Sequence, residues 1–459
     1  MDEINGIQRA PGFTNRRGEK PFVMMDGFNL GLEKGTGVAT YARNLSFSLR
    51  DLGAEVGVLY GGSFVSGMPD LLKEIAFFDS QGITLNRWQR YLKRMRKVFG
   101  LHFNRAFQVP IQGAVVSDNF KSRLPHFDSI WNSPDLFVKA SVQHDIFGVI
   151  NRVRVSGRRP DLFHWTYPLP LHAPGVPNIY TLHDMVPLRL PFTTLDRKRE
   201  YLRMLRWIAR RADHIITVSE HSKRDIVDIL GIPENRVTNT YQAVSIPDKY
   251  RLKPDEVVRR EVEGTFGLRH KEYFLFFGSI EPKKNIGRML EGYLGSSVET
   301  PLVVVGAQAW KSEQELRLLY EDHIRSLVQI GSETRVKRKV IQLEYAPFPL
   351  LVSLIRGAKA VLFPSLYEGF GLPILESMLL GTPVLTSKTS AVPEVAGEAA
   401  LLVNPYDPRE IAEGVRALDA NPGLREELSA KGRVQAGRFT ERAYGDRLAA
   451  VYREVLNRR

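Results

Sequence analysis

The chain has 459 residues, of which 43% are apolar and 25% are charged, and its 64 basic and 51 acidic residues give a formal net charge of +13. This length exceeds the size at which one hydrophobic core stops growing, so two domains are expected, and the composition excludes a chain that is disordered throughout. The chain contains no cysteine, which excludes disulfides, thiolate metal sites and cysteine nucleophiles and favours the cytoplasm.

The net positive charge predicts an anionic partner, and the candidates are nucleic acid, a phospholipid surface or a nucleotide diphosphate. No helix-turn-helix, zinc or RNA-binding signature accompanies the charge, so nucleic acid is not expected. No run approaches the roughly 18 to 20 apolar residues that a membrane span requires. The first twenty residues carry no apolar block of a secretory signal. We therefore expect a cytoplasmic protein.

The first predicted unit is a βαβ arrangement over residues 22–60. FVMMD reads as a strand, a loop with Gly35 and Gly37 follows, the next segment has helical apolar spacing up to Gly53, and AEVGVLY resumes an extended pattern. Gly-x-Gly before a helix has two interpretations, a simple tight turn or a backbone that approaches a ligand closely.

Residues 61–160 contain a basic amphipathic segment near 87–99. RWQRYLKRMRKVFG has six basic residues and no acid, with aromatic and apolar side chains at helical spacing. Two interpretations stay open. The segment is either a solvated helix that packs its apolar stripe on the core or a helix that lies on an anionic membrane surface, where each cation contributes about 1 kcal/mol.

From residue 178 onward, short apolar strands alternate with helices, which is typical of parallel sheets covered on both faces. Strands are expected at 178–184, 214–219, 273–279, 301–307, 339–346, 360–365, 382–387 and 399–405. The predicted fold class is α/β, with two doubly wound Rossmann-like domains that face each other across a cleft. Their expected limits are 1–258 and 259–435, with a C-terminal helix at 436–459 that packs back on the first domain. A ligand is expected in the cleft, beyond the carboxyl ends of the strands.

Two motifs place polar side chains directly after predicted strands. His183 and Asp184 end the strand NIYTLHD, and the alternative to a ligand contact is a histidine satisfied in the core. Further on, Gly278 and Ser279 end a second strand and are followed by the pair at 283–284, Lys283 and Lys284. Two adjacent cations after a buried strand suit a diphosphate whose negative charge grows during a reaction.

The strongest motif is AVLFPSLYEGFGLPILESMLLGTPVLTS at 360–387. A strand leads into a glycine-rich loop with Glu368, a helix begins near Pro373, and Glu376 is expected in its first turn. Backbone N–H groups at Gly371 and Leu372 would be free to bind phosphate or a sugar hydroxyl at the helix N-terminus. The alternative is that both glutamates only cap the helix.

The form EGFGLPILE resembles the E-x7-E motif of retaining GT-B glycosyltransferases of family 4, also called glycosyl transferases group 1. The resemblance implies that Glu368 lies by the donor sugar and that Glu376 binds the donor ribose. The segment after Gly278 is similar to the family's G-x-x-x-P-R-K-N element, with Lys283 in the arginine position, Lys284 in the lysine position and Ser279 where many members have arginine.

Two elements of the first half are also similar to that family. Gly35, Gly37, Val38, Tyr41 and Leu45 match its G-x-G-V/I-x-x-Y-x-x-x-L element, which approaches the transferred sugar and the acceptor. His183 and Asp184 match its T-x-H-D element, which implies a sugar contact by the histidine with the aspartate orienting the ring. The resemblance covers roughly 20–60 and 175–459.

The resemblance implies a retaining hexosyltransferase that uses a nucleotide-sugar donor, with mannose from GDP-mannose ranked first, and a lipid-linked or polysaccharide acceptor in cell-surface glycan or lipopolysaccharide synthesis. Catalytic roles are expected for Glu368, His183 and Lys284. No cofactor or metal is expected, since the chain has no D-x-D motif. The alternatives are a UDP-sugar-dependent glycosyltransferase and a nucleotide-sugar epimerase of the same architecture. The protein is expected in the cytoplasm, either free or attached peripherally to the inner face of the membrane.

Overall fold

A computed structural model describes residues 13–15, 17–31, 37–78, 98–113, 115, 124–309, 313, 315, 317–320, 325–330 and 333–458. Two large sheets and the helices that cover them dominate this part of the chain. All strands of the first sheet precede residue 240, and all strands of the second lie between residues 274 and 403. The limits predicted at 258 and 435 stay predictions.

The first half of the chain builds its sheet from short strands, several of which are buried along their whole length. Its elements are β1 (Phe22–Asp26), α1 (Gly37–Asp51), β2 (Glu55–Tyr60), α2 (Asp70–Phe78), β3 (Phe103–Val109), β4 (Ser129–Asn132), α3 (Leu136–Phe147), β5 (Asn151–Val155), β6 (Leu162–Trp165), β7 (Leu171–His172), β8 (Asn178–Thr181), α4 (Val186–Arg189), α5 (Lys198–Arg211), β9 (His214–Thr217), α6 (Glu220–Leu230) and β10 (Val237–Asn239).

The second half repeats this alternation. Its elements are α7 (Asp248–Arg251), α8 (Asp255–Phe266), β11 (Phe274–Phe277), α9 (Ile286–Gly295), β12 (Leu302–Val305), β13 (Arg325–Ile330), β14 (Glu333–Arg338), β15 (Val340–Leu343), α10 (Phe348–Gly357), β16 (Ala360–Phe363), α11 (Leu372–Leu379), β17 (Val384–Ser387), α12 (Val392–Ala396), β18 (Leu401–Val403), α13 (Pro408–Ala420), α14 (Pro422–Ala436) and α15 (Glu441–Asn457).

The strand order places the loops of both sheets where a doubly wound fold binds ligands. The first sheet has ten strands in the order β10-β9-β8-β6-β1-β2-β4-β3-β5-β7, parallel except where β3 meets β4. The second is parallel, in the order β15-β12-β11-β16-β17-β18, and β13 and β14 form a separate antiparallel hairpin. In the second sheet the order reverses between β11 and β16. The crevice of such a fold opens at that point, beyond the carboxyl ends of these two strands.

The last helix, α15, packs on the first half of the chain rather than on the half that precedes it in sequence. Tyr452 of α15 lies edge-to-face with Phe13 at 5.4 Å between ring centroids, and it contacts His164 of β6 at 5.8 Å. Tyr444 contacts Tyr41 of α1 at 6.3 Å. The chain therefore crosses back to the first sheet after building the second one.

The apolar runs predicted as strands from residue 178 onward are strands in the structure, and each is two to four residues shorter than its run. The region 61–160, which showed no clear alternation, contributes β3 (Phe103–Val109), β4 (Ser129–Asn132) and β5 (Asn151–Val155). The basic segment near 87–99 lies outside the described residues apart from Val98 and Phe99. Phe99 is 69% exposed.

Candidate functional site

The loop after β11 holds the predicted lysine pair in a fixed backbone frame. Gly278 has φ +138°, and a Cβ on Gly306 would lie 1.8 Å from its carbonyl oxygen, so this crossing requires glycine at 306. Pro282–Lys284 form a short 3-10 turn that ends at Asn285, whose φ is +61°. The Asn285 amide donates to the carbonyls of Pro364 and Pro405 at 3.0 and 2.6 Å. These bonds tie the loop after β11 to the loops after β16 and β18.

Lys284 and Glu368 form a buried ion pair at the bottom of this crevice. Lys284 Nζ lies 2.6 Å from Glu368 Oε1, with the two side chains 10% and 7% exposed, and it sits 4.9 Å from the ring centroid of Phe363. Burial raises the pKa of the Glu368 carboxyl, but Lys284 and Lys283 outweigh burial and hold that pKa below its ordinary value. Glu368 is therefore ionised at neutral pH, and two ammonium N–H donors of Lys284 remain for an anion.

Lys283 faces a second carboxylate in the same loop. Its Nζ lies 3.6 Å from Glu281 Oε1, and its side chain is 22% exposed, against 7% for Glu281. Burial lowers the pKa of Lys283, and the carboxylates of Glu281, Asp184 and Glu368 together raise it well above its ordinary value. Because Asp184 belongs to the first half of the chain, this cation is held by charges from both sides of the crevice.

Helix α11 presents its N-terminus to the same crevice. Gly371 precedes it with φ +109°, and a Cβ there would meet Ile374 at 3.0 Å. The helix begins at Leu372 with Pro373 in its second position, and its first turn contains no acid. The prediction that Glu376 lies in the first turn is therefore wrong by one residue. The helix starts before Pro373 because proline is tolerated at its first two positions, where no backbone donor is needed.

The Glu376 carboxyl group differs from that of Glu368 because no cation of the described residues lies beside it. The side chain is partly buried. Burial alone raises its pKa from 4.5 to about 7, and among the described residues no ion pair or hydrogen bond offsets that effect. The site thus contains one firmly ionised glutamate and one that is half protonated near neutral pH.

His183, just beyond the end of β8, forms the facing wall. Its Nε2 lies 2.9 Å from the carbonyl oxygen of Thr166 and must donate to it, so Nδ1 carries the lone pair. The ring packs edge-to-face on Tyr41 with centroids 4.7 Å apart. Burial lowers the pKa of His183, and Lys283 lowers it further, although the Thr166 carbonyl and Asp184 act in the opposite direction. The imidazole is therefore neutral at physiological pH.

Asp184 makes its hydrogen bond away from the His183 ring. Its Oδ1 accepts from the backbone N–H of Val186, the first residue of α4, at 3.0 Å. In the described part of the chain the ring is held by Thr166 and Tyr41, and the ring-orienting role expected for Asp184 stays a prediction. Asp184 contributes to the site through its charge, which acts on Lys283.

The two walls touch directly at Gly369. A Cβ on this residue would lie 2.7 Å from the carbonyl oxygen of His183 and 2.9 Å from Cβ of Asp184. The Ser222 hydroxyl of α6 donates to the Gly369 carbonyl at 3.3 Å. The glycine after Glu368 therefore brings the predicted sugar-contacting residues of both halves within one small crevice.

Helix α6 carries further contacts between the two halves. Glu394 of α12 accepts from the backbone N–H groups of Glu220 and His221 at 2.7 and 3.1 Å, at the positive end of that helix. Tyr367 donates to Asp225, which also pairs with Arg189. The N-cap of α6 is Ser219, whose hydroxyl accepts from the backbone N–H of Ser222 at 3.0 Å. The start of α6 therefore has two kinds of contact, its own cap and the bonds to the other half of the chain.

The remaining predicted residues fall at the edges of the site or outside the described chain. Gly35 lies outside the described residues, and Gly37 is the first residue of α1 with open space where a Cβ would be. Ser279 is exposed at the mouth. Leu372 opens α11, so its N–H belongs to the unsatisfied first turn of that helix.

Sequence reasoning missed the residues that hold the predicted ones. Glu281 could have been found as the acid two residues before Lys283 in the same loop. Nothing in the sequence indicates Thr166, because its backbone carbonyl lies near His183 only since β6 and β8 are neighbours in the sheet. Asp225 pairs with Arg189 through tertiary packing, which the sequence does not indicate.

Two protein-family models match the chain across both walls of this crevice. Residues 126–246 match Glycosyltransferase Family 4, and residues 261–435 match Glycosyl transferases group 1. The second range contains both glutamates and both lysines of the site. The chain belongs to the glycosyl transferases group 1. The resemblance inferred from EGFGLPILE is thereby confirmed.

Curated relatives of this family cover just over half of the chain. The chain is 32% identical to O-antigen chain mannosyltransferase B of Escherichia coli, over 57% of this chain and 66% of that protein. It is 28% identical to O-antigen chain mannosyltransferase RfbU of Salmonella typhimurium, over 53% of this chain and 61% of that protein. The matches thus span less than two thirds of the length of these relatives.

The predicted fold is confirmed by solved structures. Sucrose-phosphate synthase from Thermosynechococcus elongatus superposes with a TM-score of 0.61 at 15% identity, covering 96% of this chain and 100% of that one. The architecture is therefore GT-B, with two Rossmann-like units and a crevice between them.

Two other kinds of feature are absent from the described part of the chain. None of its helices is both long enough and apolar enough to cross a bilayer. Within the same residues, no group of three or more histidine, aspartate or glutamate side chains is arranged to hold a metal ion.

Proposed function

We propose that this protein is a retaining mannosyltransferase that moves mannose from GDP-mannose to a lipid-linked or polysaccharide acceptor in cell-surface glycan synthesis. The observation that carries the proposal is the contact at Gly369, which sets the Lys284 and Glu368 pair against His183 across one crevice. The relatives named as O-antigen mannosyltransferases support mannose and a surface-glycan acceptor.

The second half of the chain holds the donor in this proposal. The ammonium groups of Lys283 and Lys284 and the free N–H groups at Gly371 and Leu372 bind the diphosphate and stabilise its charge as the sugar leaves. Glu376 accepts from the ribose hydroxyls, and Glu368 accepts from the hydroxyls of the sugar. The glycosidic bond to phosphate breaks, and the acceptor oxygen bonds to the same face of the anomeric carbon as its proton passes to the departing phosphate.

The first half of the chain contacts the transferred sugar. His183 is neutral and is held with Nδ1 unprotonated, so it can accept a hydrogen bond from a sugar hydroxyl without adding positive charge beside an oxocarbenium-like centre. The loop with Gly35 and Gly37 lies on this side in sequence and is assigned to the acceptor. The proposed reaction uses no metal ion, because the two lysines and the N-terminus of α11 neutralise the diphosphate.

The decisive experiment is transfer of radiolabelled mannose from GDP-mannose to a lipid-linked oligosaccharide, with and without EDTA. Transfer with retention of configuration that survives EDTA is expected, and loss of activity with EDTA would overturn the metal-free step. A thermal-shift panel of GDP-, UDP-, ADP- and dTDP-sugars identifies the donor, and selective stabilisation by a UDP-sugar would replace GDP-mannose. Conversion of the donor into an epimer without acceptor would replace transfer by epimerisation.

We also propose that the first half of the chain docks on an anionic membrane, where a lipid-linked acceptor is found. Besides the segment near 87–99, helix α5 carries exposed arginines at 199, 203, 206 and 210, a spacing that aligns them on one face. Phe192 and Leu195, just before this helix, are 62% and 68% exposed. Cations beside exposed apolar side chains match the charge and polarity of an anionic bilayer surface.

Flotation with phosphatidylglycerol vesicles tests this docking. Reversing the charges at Arg199 and Arg206 is expected to reduce binding by at least about thirtyfold, since each of the two lost cations contributes about 1 kcal/mol. The matched control reverses Arg259 and Arg260, which are exposed on α8 in the other half of the chain. Equal loss in both variants, or binding that ignores the anionic lipid content, would contradict the docking surface.

A further inference from the structure

A chain of buried polar side chains runs from the C-terminal helix to the wall of the candidate site. Tyr41 OH lies 2.8 Å from Thr181 Oγ1, which lies 2.7 Å from His164 Nε2. His164 Nδ1 is hydrogen-bonded to the hydroxyl group of Tyr452 on α15. All four side chains are at most 2% exposed, so no water competes for these bonds. We call these four residues the Tyr452 relay.

The sheet brings these residues together although they are far apart in sequence. His164 lies on β6 and Thr181 on β8, which are paired with His164 opposite Ile179, so Thr181 projects from the same face two residues further on. Tyr41 reaches this face from α1, and Tyr452 reaches it from α15. The relay therefore joins the first sheet to two helices that cover the same face.

At one end of the relay, the ring of Tyr41 contacts His183, the histidine to which a sugar contact is assigned. The hydroxyl of Tyr41 is fixed by Thr181, and its ring packs edge-to-face on His183 at 4.7 Å. Among the described residues, His183 has one hydrogen bond, to Thr166, so packing must limit the rotation of its ring about that bond. The ring of Tyr41 supplies that packing.

At the other end of the relay, Nδ1 of His164 has its hydrogen-bond partner only when α15 packs against the sheet. A neutral imidazole has one donor and one acceptor nitrogen, and each nitrogen of His164 has a hydroxyl partner. Burial, helped by His183, lowers the pKa of His164 to about 3, so the ring stays neutral at physiological pH. Removing the Tyr452 hydroxyl leaves one buried nitrogen unpaired and frees the imidazole to turn.

We propose that Tyr452 is a positioning residue for sugar transfer, which acts through His164, Thr181 and Tyr41 to fix the ring of His183. The C-terminal helix is thereby part of the sugar wall, although it contributes no residue to the crevice. This inference rests on the proposed function, because the histidine it positions is assigned a sugar contact there. A small misplacement of such a group costs rate rather than ground-state binding of the nucleotide.

The test compares kcat and the donor KM of Tyr452→Phe and Thr181→Val with those of Tyr180→Phe. Tyr180 is the matched control, since it is a fully buried tyrosine of β8 whose hydroxyl donates to Leu171 O at 2.6 Å, outside the relay. We expect kcat to fall by about tenfold in the two relay variants, with the donor KM changed by less than about twofold, and Tyr180→Phe to keep the wild-type kcat. Thr181→Ser, which keeps the hydroxyl, is expected to retain activity.

The double variant Tyr452→Phe with Thr181→Val separates a relay from two independent effects on folding. Members of one network are not additive, so kcat of the double variant is expected to match that of the single variants. Losses that multiply, or a kcat of Tyr452→Phe equal to that of Tyr180→Phe, would overturn the relay.

Nitrogen NMR of His183 keeps the relay testable if the protein transfers no sugar at all. The 15N shifts are expected to report a single tautomer protonated at Nε2 in the wild type and in Tyr180→Phe, and a mixture in Tyr452→Phe. Wild-type shifts in Tyr452→Phe would contradict the relay. Absence of transfer by the wild-type protein, with the expected shifts, would contradict the proposed function alone.

Discussion

The Glu376 carboxyl group is expected to have opposite effects on the stability of the unliganded protein and on donor binding. Burial raises its pKa from 4.5 to about 7, and no described side chain compensates the charge. Glutamine has the same shape and carries no charge. Glu376→Gln is therefore expected to stabilise the unliganded protein at pH 8 while it weakens binding of the donor nucleotide, because an amide is a poorer acceptor for two ribose hydroxyls.

The magnitude and the pH window follow from proton linkage. Raising the pKa of this carboxyl from 4.5 to about 7 disfavours the ionised folded state by up to about 3 kcal/mol. The penalty is absent below about pH 4.5, where the carboxyl is protonated in both states. It grows as the pH rises towards 7, because the unfolded chain releases the proton while the folded chain keeps it, and it is constant above pH 7. Residual solvent contact reduces the expected gain to about 1 to 3 kcal/mol.

Urea unfolding of the wild type and of Glu376→Gln at pH 5.5 and pH 8 measures this effect. The stabilisation is expected to be larger at pH 8, and Glu413→Gln, at an exposed position of α13, serves as the control with the same chemical change. Calorimetry with GDP is expected to show weaker binding by Glu376→Gln. Equal stabilisation at both pH values would refute the buried, uncompensated carboxyl, and unchanged GDP affinity would refute its contact with the ribose.

Three further substitutions address the ion pair and the contact between the halves. Lys284→Ala leaves Glu368 buried without its cation, so the free energy of unfolding should fall by about 3 to 5 kcal/mol and transfer should be lost; a variant as stable as wild type would contradict the pair. Gly369→Ala places a Cβ 2.7 Å from His183 O, so kcat should fall while GDP binding in calorimetry changes little; wild-type kcat would show that the walls need not meet. Glu394→Gln removes a carboxylate from the N-terminus of α6, and thermal unfolding should show a loss of about 1 kcal/mol that high salt reduces; a loss that is insensitive to salt would argue against the helix-dipole contact.

The second sheet could be predicted because its strands are short and mostly apolar, and β11, β12, β16 and β17 are buried along their whole length. The hairpin of β13 and β14 has polar strands and was not predicted. The segment FLFF of β11 has no polar residue, and loops rich in glycine follow such strands. The region 61–160 could not be predicted in the same way. Strand β3 alternates exposed and buried residues, and β5 carries Arg152 and Arg154 on its exposed face, which is typical of strands near the edge of a sheet.

The residue types of the site could be predicted, but their partners could not. Lys284 and Glu368 are 84 positions apart, and their pairing depends on the neighbouring positions of β11 and β16 in the second sheet. The sequence motif indicates that both bind the donor, and it does not indicate that one holds the other. The same limit applies to Asp184, whose hydrogen bond to the backbone N–H of Val186 depends on how the chain turns after β8.

Gly369 sets the distance between Glu368 on one wall of the crevice and His183 on the other. Glu368 is fixed by Lys284 from the donor side, and His183 is fixed by Thr166 and Tyr41 from the other side, so neither depends on the other for its own position. Their relative position depends on how closely the two halves approach, and a glycine at 369 permits an approach that any side chain would block. In the proposed function, a sugar held between them would contact Glu368 and His183 together, because the two halves meet at this glycine.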